Sequence, residues 1–289
     1  IDTYIRSGKI AAPIPLPYIV GCDVAGVVEA VGPEARRFKK GDRVWGSNQG
    51  FKGRQGATAE YVCTDEDWLY PIPGGIDDQS AAAIALVGIT AWLGLLRDGG
   101  LKPGETVFVN GGSGGVGSCV VQMAKAIGAR VIATAGSDQK VEICRSLGAD
   151  HAIHYKQENV AEKVRQYAPE GVNVWYETLR EPDLMTSVPL LAPRGRMILI
   201  AGRDATPSLP LGSFYTRDCK LLGFAMFNAP ADEQRRAAED INRWLTEGKL
   251  KPRIGKVLTI DRIADAHKLQ EDNTIGKAGT LAGKIVITI

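Results

Sequence analysis

The chain has 289 residues, of which 44% are hydrophobic, and its 35 basic and 33 acidic side chains give a formal net charge of +2. This length suffices for two domains that each bury a core. The near balance of charge argues against nucleic acid or a charged membrane surface as a partner. The five cysteines are scattered without a C-x-x-C pair, so we expect a protein of a reducing compartment, the cytoplasm.

Short β-type runs separated by Gly- and Pro-rich turns fill the first 75 residues and predict a small, irregular β-barrel. The tail from residue 250 contains two more β-type segments, at 256–260 and 284–289, which we expect to complete the sheet of this first domain. The first residue is Ile, so we expect the natural chain to begin earlier. The four runs at the start cover residues 24–31, 42–45, 59–63 and 68–72.

An Ala-rich apolar stretch follows at residues 81–96. It is interrupted by Gly88 and Gly94 and is shorter than the roughly 20 apolar residues of a membrane span. We therefore predict a buried helix over residues 79–97 and no membrane-spanning segment. The sequence has no cationic start followed by an apolar segment, so we expect no export signal.

The most informative stretch is TVFVNGGSGGVG at residues 106–117, where a β-branched apolar run leads directly into closely spaced glycines. Gly112, Gly114 and Gly117 satisfy G-x-G-x-x-G. In this motif one glycine makes a tight turn with positive φ, one lets the backbone approach a pyrophosphate, and one lets the helix lie close on the strand. Apolar residues then recur at helical spacing until Gly128, where a C-terminal cap is expected. The segment predicts a dinucleotide-binding turn; the alternative is an ordinary glycine-rich turn between strand and helix.

Strand-like and helix-like segments alternate from residue 106 onward, which predicts the α/β class with a doubly wound parallel (Rossmann) sheet. A charged helix is predicted after this sheet, over residues 231–247. The six predicted strands cover residues 106–110, 130–135, 152–155, 172–177, 196–201 and 220–227.

The end of the second strand of such a sheet selects the cofactor, because NAD enzymes place there an acid that holds the ribose 2′-hydroxyl. This sequence has Gly136 and Ser137 there, with Lys140 just beyond, and Tyr155 ends the third strand. A small, uncharged turn with a nearby cation leaves room and positive charge for a 2′-phosphate, which favours NADPH. The alternative is that Asp138 holds the ribose and Lys140 is a solvated lysine at a helix start.

The sequence predicts no metal site. A catalytic zinc needs three His, Cys or carboxylate ligands, and a structural zinc usually needs several cysteines. Cys22 and Asp23 could each ligate, but no second thiolate or histidine follows at a recognisable spacing. The basic run at residues 36–43 could contact nucleic acid, but it has no aromatic residue beyond Phe38 and predicts a solvated loop.

Six segments carry a resemblance to a known family: IDTYIRSGKI, PYIVGCDVAGVVEAVG, FKKGDRVWG, AEYV, AAAIALVGITAWLGL and NGGSGGVGS. Their order and spacing resemble the medium-chain dehydrogenase/reductase superfamily, and within it the zeta-crystallin-like NADPH:quinone oxidoreductases, over essentially the whole chain. The resemblance implies a GroES-like irregular β-barrel domain at residues 1–88 and 250–289, whose first strands precede Ile1. It also implies a Rossmann NADPH-binding domain at residues 89–249.

The resemblance further implies that the protein uses no zinc. Zinc-dependent members have Gly-His-Glu where this chain has Gly21, Cys22 and Asp23, and a ligand Cys where this chain has Leu86. They also carry a four-cysteine lobe, which is absent from residues 44–61 of this chain.

The family's site residues can be matched position by position. Asp2 and Tyr4 match the polar pair of the interdomain substrate cleft and are the expected catalytic residues. Tyr4 would stabilise the oxyanion left by hydride transfer, and Asp2 would orient Tyr4 or the nicotinamide ribose. Leu179 and Arg180 stand where the family has a small Val-Gly pair. The matched cofactor-binding residues are Gly112, Ser113, Gly114, Gly115 and Val116 at the pyrophosphate, Gly136, Ser137, Lys140 and Tyr155 at the 2′-phosphate, and Thr90, Ala201, Gly202, Phe224, Met226 and Phe227 at the nicotinamide half.

Residues and resemblance together predict a zinc-independent, NADPH-dependent reductase that transfers a hydride to quinones or similar conjugated carbonyl compounds. The nearest alternative is an enoyl-thioester reductase, but that branch places its proton-donating Tyr at the position of Ile10. Another alternative is a protein that binds NADPH without turnover, or one that binds RNA. The near-neutral charge argues against RNA. The apolar run at 220–227 predicts an open sheet edge and a homodimer joined through it, unless the helix at 231–247 covers that edge.

Overall fold

Two compact units make up the chain in the computed structural model, which describes residues 1–10 and 16–289. The first unit consists of Ile1–Ile89 and Ala229–Ile289, and the second consists of Thr90–Asn228. Residues 229–249, which the sequence assigned to the dinucleotide-binding domain, therefore belong by their contacts to the first unit.

The first unit begins with α1 (Asp2–Arg6), β1 (Val24–Val27), β2 (Arg43–Gly46), β3 (Leu69–Pro71) and α2 (Asp78–Trp92). The three strands form an antiparallel sheet in the order β1-β2-β3. Trp45 and Tyr70 are paired across it and fully buried, with their ring centroids 4.9 Å apart. The strand predicted at residues 59–63 is wrong, because these residues form bends and irregular structure, and all of them remain at least partly exposed.

The Ala-rich helix α2 is largely buried, as predicted, and it continues into a π-helical segment, Leu93–Asp98. The stretch Asp78–Asp98 is long and apolar enough to cross a membrane, and 67% of its most apolar window is buried inside the protein, as in a core helix. Gly94 allows Tyr176 to pack closely, since a Cβ there would lie 2.5 Å from the Tyr176 hydroxyl. That hydroxyl donates a 2.8 Å hydrogen bond to the carbonyl of Thr90.

The second unit is a doubly wound parallel sheet, which confirms the predicted fold class. Its six strands lie in the order β6-β5-β4-β7-β8-β9, and the order reverses between β4 and β7, where such sheets bind dinucleotides. The elements are β4 (Thr106–Asn110), α3 (Gly115–Ile127), β5 (Arg130–Ala135), α4 (Asp138–Ser146), β6 (His151–His154), α5 (Val160–Tyr167), β7 (Val172–Glu177), α6 (Leu184–Ser187), β8 (Leu191–Leu199), α7 (Leu211–Tyr215) and β9 (Lys220–Gly223).

Apolar side chains on both faces make β4 a central strand: Val107, Phe108 and Val109 are all fully buried. Continuous burial of this kind is typical of a parallel sheet that helices cover on both sides. The following helix, α3, ends at Gly128, whose φ of +90° confirms the predicted C-terminal cap.

The last strand of the sheet is shorter than predicted. β9 ends at Gly223, and a 3-10 turn follows at Met226–Asn228. Beyond β9, Met226 is buried, and the Arg97 guanidinium lies over the Phe224 ring, 5.2 Å from the ring centroid. The predicted strand at 220–227 is therefore wrong beyond Gly223, whereas the first, second and fourth predicted strands coincide with β4, β5 and β7.

Arg196 of β8 holds the glycine-rich connection that leads into β4. Its Nε and Nη2 donate to the carbonyls of Gly99 and Gly100 at 2.8 and 3.2 Å. Its Nη1 and Nη2 also donate to both carboxylate oxygens of Glu105, at 2.9 and 2.8 Å. One side chain thus fixes both ends of this connection with charge-assisted hydrogen bonds.

The chain returns to the first unit with α8 (Ala231–Thr246), β10 (Ile254–Thr259), α9 (Ile263–Thr274) and β11 (Lys284–Thr288). α8 belongs there because Asn242 Oδ1 accepts from Trp45 Nε1 at 3.0 Å and Gln234 Oε1 accepts from Asn48 Nδ2 at 2.6 Å. β10 and β11 pair in parallel, with α9 as the crossover that such a pair requires, and form their own two-stranded sheet. The expectation that the tail completes the first sheet is therefore wrong.

Candidate functional site

The glycine-rich turn joins the carboxyl end of β4 to the amino end of α3. The positive φ of this turn, +85°, belongs to Gly111, which the sequence motif did not include. Gly112 is needed for packing instead, because a Cβ there would lie 2.7 Å from the Cβ of Ala133. A Cβ at Gly117 would collide with the carbonyl oxygen of Gly111, so α3 lies directly against the turn.

The amino end of α3 offers unpaired backbone N–H groups and a partial positive charge. Gly114 is its N-cap, with Ser113 buried before it and Gly115 and Val116 opening the helix. Among the described residues other than its chain neighbours, no atom would lie closer than 3.4 Å to a Cβ at Gly114, so the absence of a side chain keeps space for a ligand rather than for packing. This arrangement suits a pyrophosphate.

The ends of β5 and β6 form the second part of the site. Ser137 caps α4, since its hydroxyl accepts the Lys140 N–H at 3.3 Å. The ring of Tyr155 lies on Gly136, where a Cβ would come within 2.7 Å of Tyr155 Cζ. The structure therefore brings these four predicted residues together at one edge of the sheet.

A second lysine, Lys156, acts on Lys140, and the sequence reasoning missed it. Burial lowers the pKa of Lys140, and the positive charge of Lys156 lowers it further. Two cations beside a small turn suit a phosphate dianion. The available signal was the position of Lys156, directly after Tyr155 at the end of the third strand.

The alternative ribose ligand, Asp138, stands in the first turn of α4 with its side chain 89% exposed. Its Oδ1 lies 3.8 Å from His154 Nε2. This contact, and the favourable interaction of an acid with a helix amino end, account for Asp138 without a ligand.

The residues assigned to the nicotinamide half lie in separate segments of the second unit. Thr90 is buried near the end of α2, and Ala201 is exposed after β8. Gly202 has a φ of +89°, and a Cβ there would lie 2.8 Å from the carbonyl oxygen of Arg180, so the loops after β7 and β8 touch. The remaining three residues, Phe224, Met226 and Phe227, follow β9, and of these Met226 is buried.

The two predicted catalytic residues are both half-buried on α1. Burial raises the pKa of Asp2, the Asp23 carboxylate acts in the same direction, and Lys284 opposes both. The Tyr4 ring lies 5.9 Å from Lys9 Nζ. Residues two apart do not share a face of a helix, so Asp2 is not placed to orient Tyr4.

Asp23 is the centre of a buried hydrogen-bond network in the first unit. Its Oδ1 accepts from the Ser47 hydroxyl at 2.8 Å and from the Leu86 N–H at 3.1 Å. Its Oδ2 accepts from Lys284 Nζ at 2.9 Å. Burial alone would lower the pKa of Lys284, but the charge and hydrogen bond of Asp23 outweigh it, so the pKa is raised and the ammonium form is stabilised.

The donor set around Cys22 does not fit a zinc ion. Within residues 1–10 and 16–289, no three His, Cys, Asp or Glu side chains group as metal ligands. Burial raises the pKa of the Cys22 thiol well above its ordinary value, and Asp23 and Asp2 add to this, whereas a metal requires the thiolate. The carboxylate that could join it, Asp23, is already neutralised by Lys284.

Known proteins match both units. The family model of the alcohol dehydrogenase GroES-like domain matches residues 1–74, and that of the zinc-binding dehydrogenases matches residues 115–243. The chain is 33% identical to the quinone oxidoreductase of Homo sapiens over 290 residues, which cover all of this chain and 85% of that protein.

Solved structures agree with these relatives. The chain is similar to the Escherichia coli quinone oxidoreductase complexed with NADPH, with a TM-score of 0.85 and 26% identity over 100% of this chain and 87% of that one. It is also similar to an NAD-dependent alcohol dehydrogenase, with a TM-score of 0.88 and 30% identity over 100% and 88% of the two chains. The chain therefore belongs to the quinone oxidoreductase family of the medium-chain dehydrogenase/reductase superfamily.

Proposed function

We propose that this protein reduces quinones or related conjugated carbonyl compounds with NADPH, and that it does so without zinc. The observation that carries the proposal is the combination of a turn that fits a pyrophosphate with the small Gly136 turn under the Tyr155 ring, next to the positive charges of Lys140 and Lys156 that suit a 2′-phosphate. The human relative named for quinone reduction and the Escherichia coli relative bound to NADPH support the acceptor class and the cofactor.

The residues present fit a dinucleotide phosphate. The N–H groups at the amino end of α3 would bind the pyrophosphate, and Gly114 leaves room for it. Lys140 and Lys156 would neutralise the 2′-phosphate, and the Tyr155 ring would flank the adenine side. When bound, NADPH supplies the hydride.

On the substrate side, the chain must stabilise the oxyanion that a reduced carbonyl acquires. Tyr4 carries a hydroxyl that can donate a hydrogen bond to it. Burial raises the pKa of Asp2, which favours the protonated carboxyl, and in that form Asp2 could also donate. No step is assigned to a metal, because Cys22 and Asp23 do not form a ligand set.

The proposal is tested by following NADPH consumption against a panel of quinones, enones and enoyl-thioesters, with NADH in parallel. We expect turnover with quinones or enones, and a lower KM for NADPH than for NADH. Faster turnover of enoyl-thioesters would favour the alternative reductase. NADPH binding without turnover of any acceptor would favour a binding protein.

Metal independence has its own test. Exhaustive chelation should leave the reductase rate unchanged, and elemental analysis should find less than one zinc per chain. A zinc-dependent alcohol dehydrogenase treated in parallel shows that the chelation works. A bound zinc whose removal abolishes turnover would contradict the proposal.

We also propose a cytoplasmic location for the protein. Its five cysteines are all free, and four of them are buried, which supports a reducing compartment.

A further inference from the structure

A network of partly buried hydrogen bonds runs from the glycine turn across the carboxyl ends of three neighbouring strands. The Gly111 N–H donates to Thr134 Oγ1 of β5 at 2.9 Å. The Thr134 hydroxyl donates to Asn110 Oδ1 of β4 at 2.7 Å. Asn110 Nδ2 donates to Glu177 Oε2 of β7 at 2.9 Å. The network thus begins at Gly111, the residue with positive φ, and ends on the carboxylate of Glu177.

Glu177 is only 3% exposed, and every donor that the structure gives it is neutral. Besides Asn110, Trp175 Nε1 donates to Oε2 at 3.1 Å and the Leu179 N–H donates to Oε1 at 2.8 Å. Burial raises the pKa of Glu177, and these hydrogen bonds oppose it. A buried carboxylate without a cation is costly, and no role in the proposed reaction accounts for this one.

The carboxylate determines the direction of the two bonds between side chains in this network. An ionised carboxylate only accepts hydrogen bonds, so Asn110 must turn its NH₂ group to Glu177 and its oxygen to Thr134. The Thr134 hydroxyl hydrogen must then point to Asn110, which leaves an oxygen lone pair to accept the Gly111 N–H. Without an acceptor at Glu177, the Asn110 amide could rotate and this order would be lost.

We propose that Glu177 is a positioning residue for the cofactor. Acting through Asn110 and Thr134, it holds Gly111 in the conformation in which the turn accepts a pyrophosphate. Through the Leu179 N–H it also fixes the start of the loop after β7, which touches the loop that contains Gly202. The inference rests on the proposed function only for the identity of the dinucleotide, NADPH.

Thr134→Val tests the middle of the hydrogen-bond network, because valine keeps the shape of threonine and removes the hydroxyl. The Gly111 N–H and Asn110 Oδ1 lose their partner, so we expect the Kd for NADPH to rise about tenfold. The kcat at saturating NADPH should stay near the wild-type value. Thr134→Ser keeps the hydroxyl and should restore the Kd to within about twofold of wild type.

Glu177→Gln tests the carboxylate at which the hydrogen-bond network ends. It replaces one acceptor oxygen with an NH₂ group that faces N–H donors, so it should raise the Kd for NADPH by a similar factor. Val131→Ala is the matched control: it lies on the same strand as Thr134, is fully buried and has no polar side-chain atom. It should lower the melting temperature by creating a cavity and leave the Kd unchanged.

A readout without cofactor separates this inference from the proposed function. Amide hydrogen exchange in peptides that cover residues 108–117 should be faster in Thr134→Val and Glu177→Gln than in Val131→Ala of equal stability. If Thr134→Val changes neither exchange nor Kd, or if Val131→Ala changes both equally, the inference is wrong. A wild-type protein that binds NADPH and reduces no quinone would refute only the proposed function.

Discussion

Lys140 is the residue on which the preference for NADPH over NADH should depend. Losing a charged hydrogen bond to a 2′-phosphate costs about 1.5–3 kcal/mol, so Lys140→Ala should weaken NADPH binding roughly ten- to a hundredfold. NADH binding should hardly change, because NADH lacks that phosphate. Lys156→Ala should act in the same direction with a smaller effect, since Lys156 is the more exposed of the two. Titration of each variant with both cofactors measures the difference.

Two results would contradict this role for Lys140. One is an equal loss of affinity for both cofactors, which would indicate a structural role. The other is a wild-type preference for NADH, which would bring the chain closer to the similar NAD-dependent alcohol dehydrogenase.

Glu177 should also leave a signature in the pH dependence of stability. Burial raises its pKa in the folded protein, so the folded state keeps a proton at pH values where the unfolded chain has lost it. Stability therefore falls as pH rises from the ordinary pKa of a glutamate to the raised one, and is level outside this window. In Glu177→Gln this fall should disappear. Urea unfolding from about pH 4 to about pH 8 measures it, and parallel curves for the two proteins would refute the expectation.

Residues that act through local spacing could be predicted, and residues that meet through the sheet could not. Gly112, Gly114 and Gly117 follow from a fixed pattern along the chain. Glu177 and Thr134 are far apart in sequence, and they share one network only because β5, β4 and β7 are neighbours in the sheet. Nothing in their local sequence marks them.

At the scale of the secondary structure elements, two glycines where α3 meets the glycine turn should have different roles, one in stability and one in cofactor binding. A Cβ at Gly117 would collide with the backbone of Gly111, so Gly117→Ala should cost about 1–3 kcal/mol of unfolding free energy. A Cβ at Gly114 meets no atom closer than 3.4 Å, so Gly114→Ala should keep the stability and lower NADPH affinity. Thermal unfolding and NADPH titration of both variants decide the question. Equal stability losses in the two would contradict it.

The central strands could be predicted because their mainly apolar composition indicates burial on both faces. The peripheral strands could not. β4, β5 and β7 are mostly apolar and buried, and they end where the sequence predicts. β9 and the segment at 59–63 carry β-type residues, but strand formation there depends on a partner. The sequence did not show that β9 would end at Gly223 or that Met226 would be buried beyond it.

At the scale of the whole molecule, we expect a homodimer joined through β9. Within the described residues this strand pairs only with β8, so its other edge carries unpaired backbone groups. Two such edges meeting about a two-fold axis would satisfy them. Light scattering at micromolar concentration should give twice the single-chain mass of 31.0 kDa. A mass near 31.0 kDa would refute the dimer.

Proline substitutions locate the contact. Gly223→Pro removes a backbone N–H from β9 and should weaken the dimer. Ala225→Pro is the control, because Ala225 lies beyond the end of β9, and it should leave the mass unchanged. The same loss of mass in both variants would place the contact elsewhere.

The place of α8 in the first unit did not follow from the sequence. Its amphipathic pattern shows that one face is buried and cannot show against what. The hydrogen bonds of Asn242 with Trp45 and of Gln234 with Asn48 join segments almost 200 residues apart, which no local pattern reveals.

The hydrogen bonds from Arg196 to the connection before β4 have a consequence for the resistance of the protein to proteolysis. A glycine-rich surface segment is normally where a protease cuts first, because the backbone there can be pulled out into an extended form. Here Gly99 and Gly100 are bound through their carbonyls and Glu105 through its carboxylate, so extraction would break all these bonds together. We therefore expect this one arginine to protect the connection before β4 against cleavage.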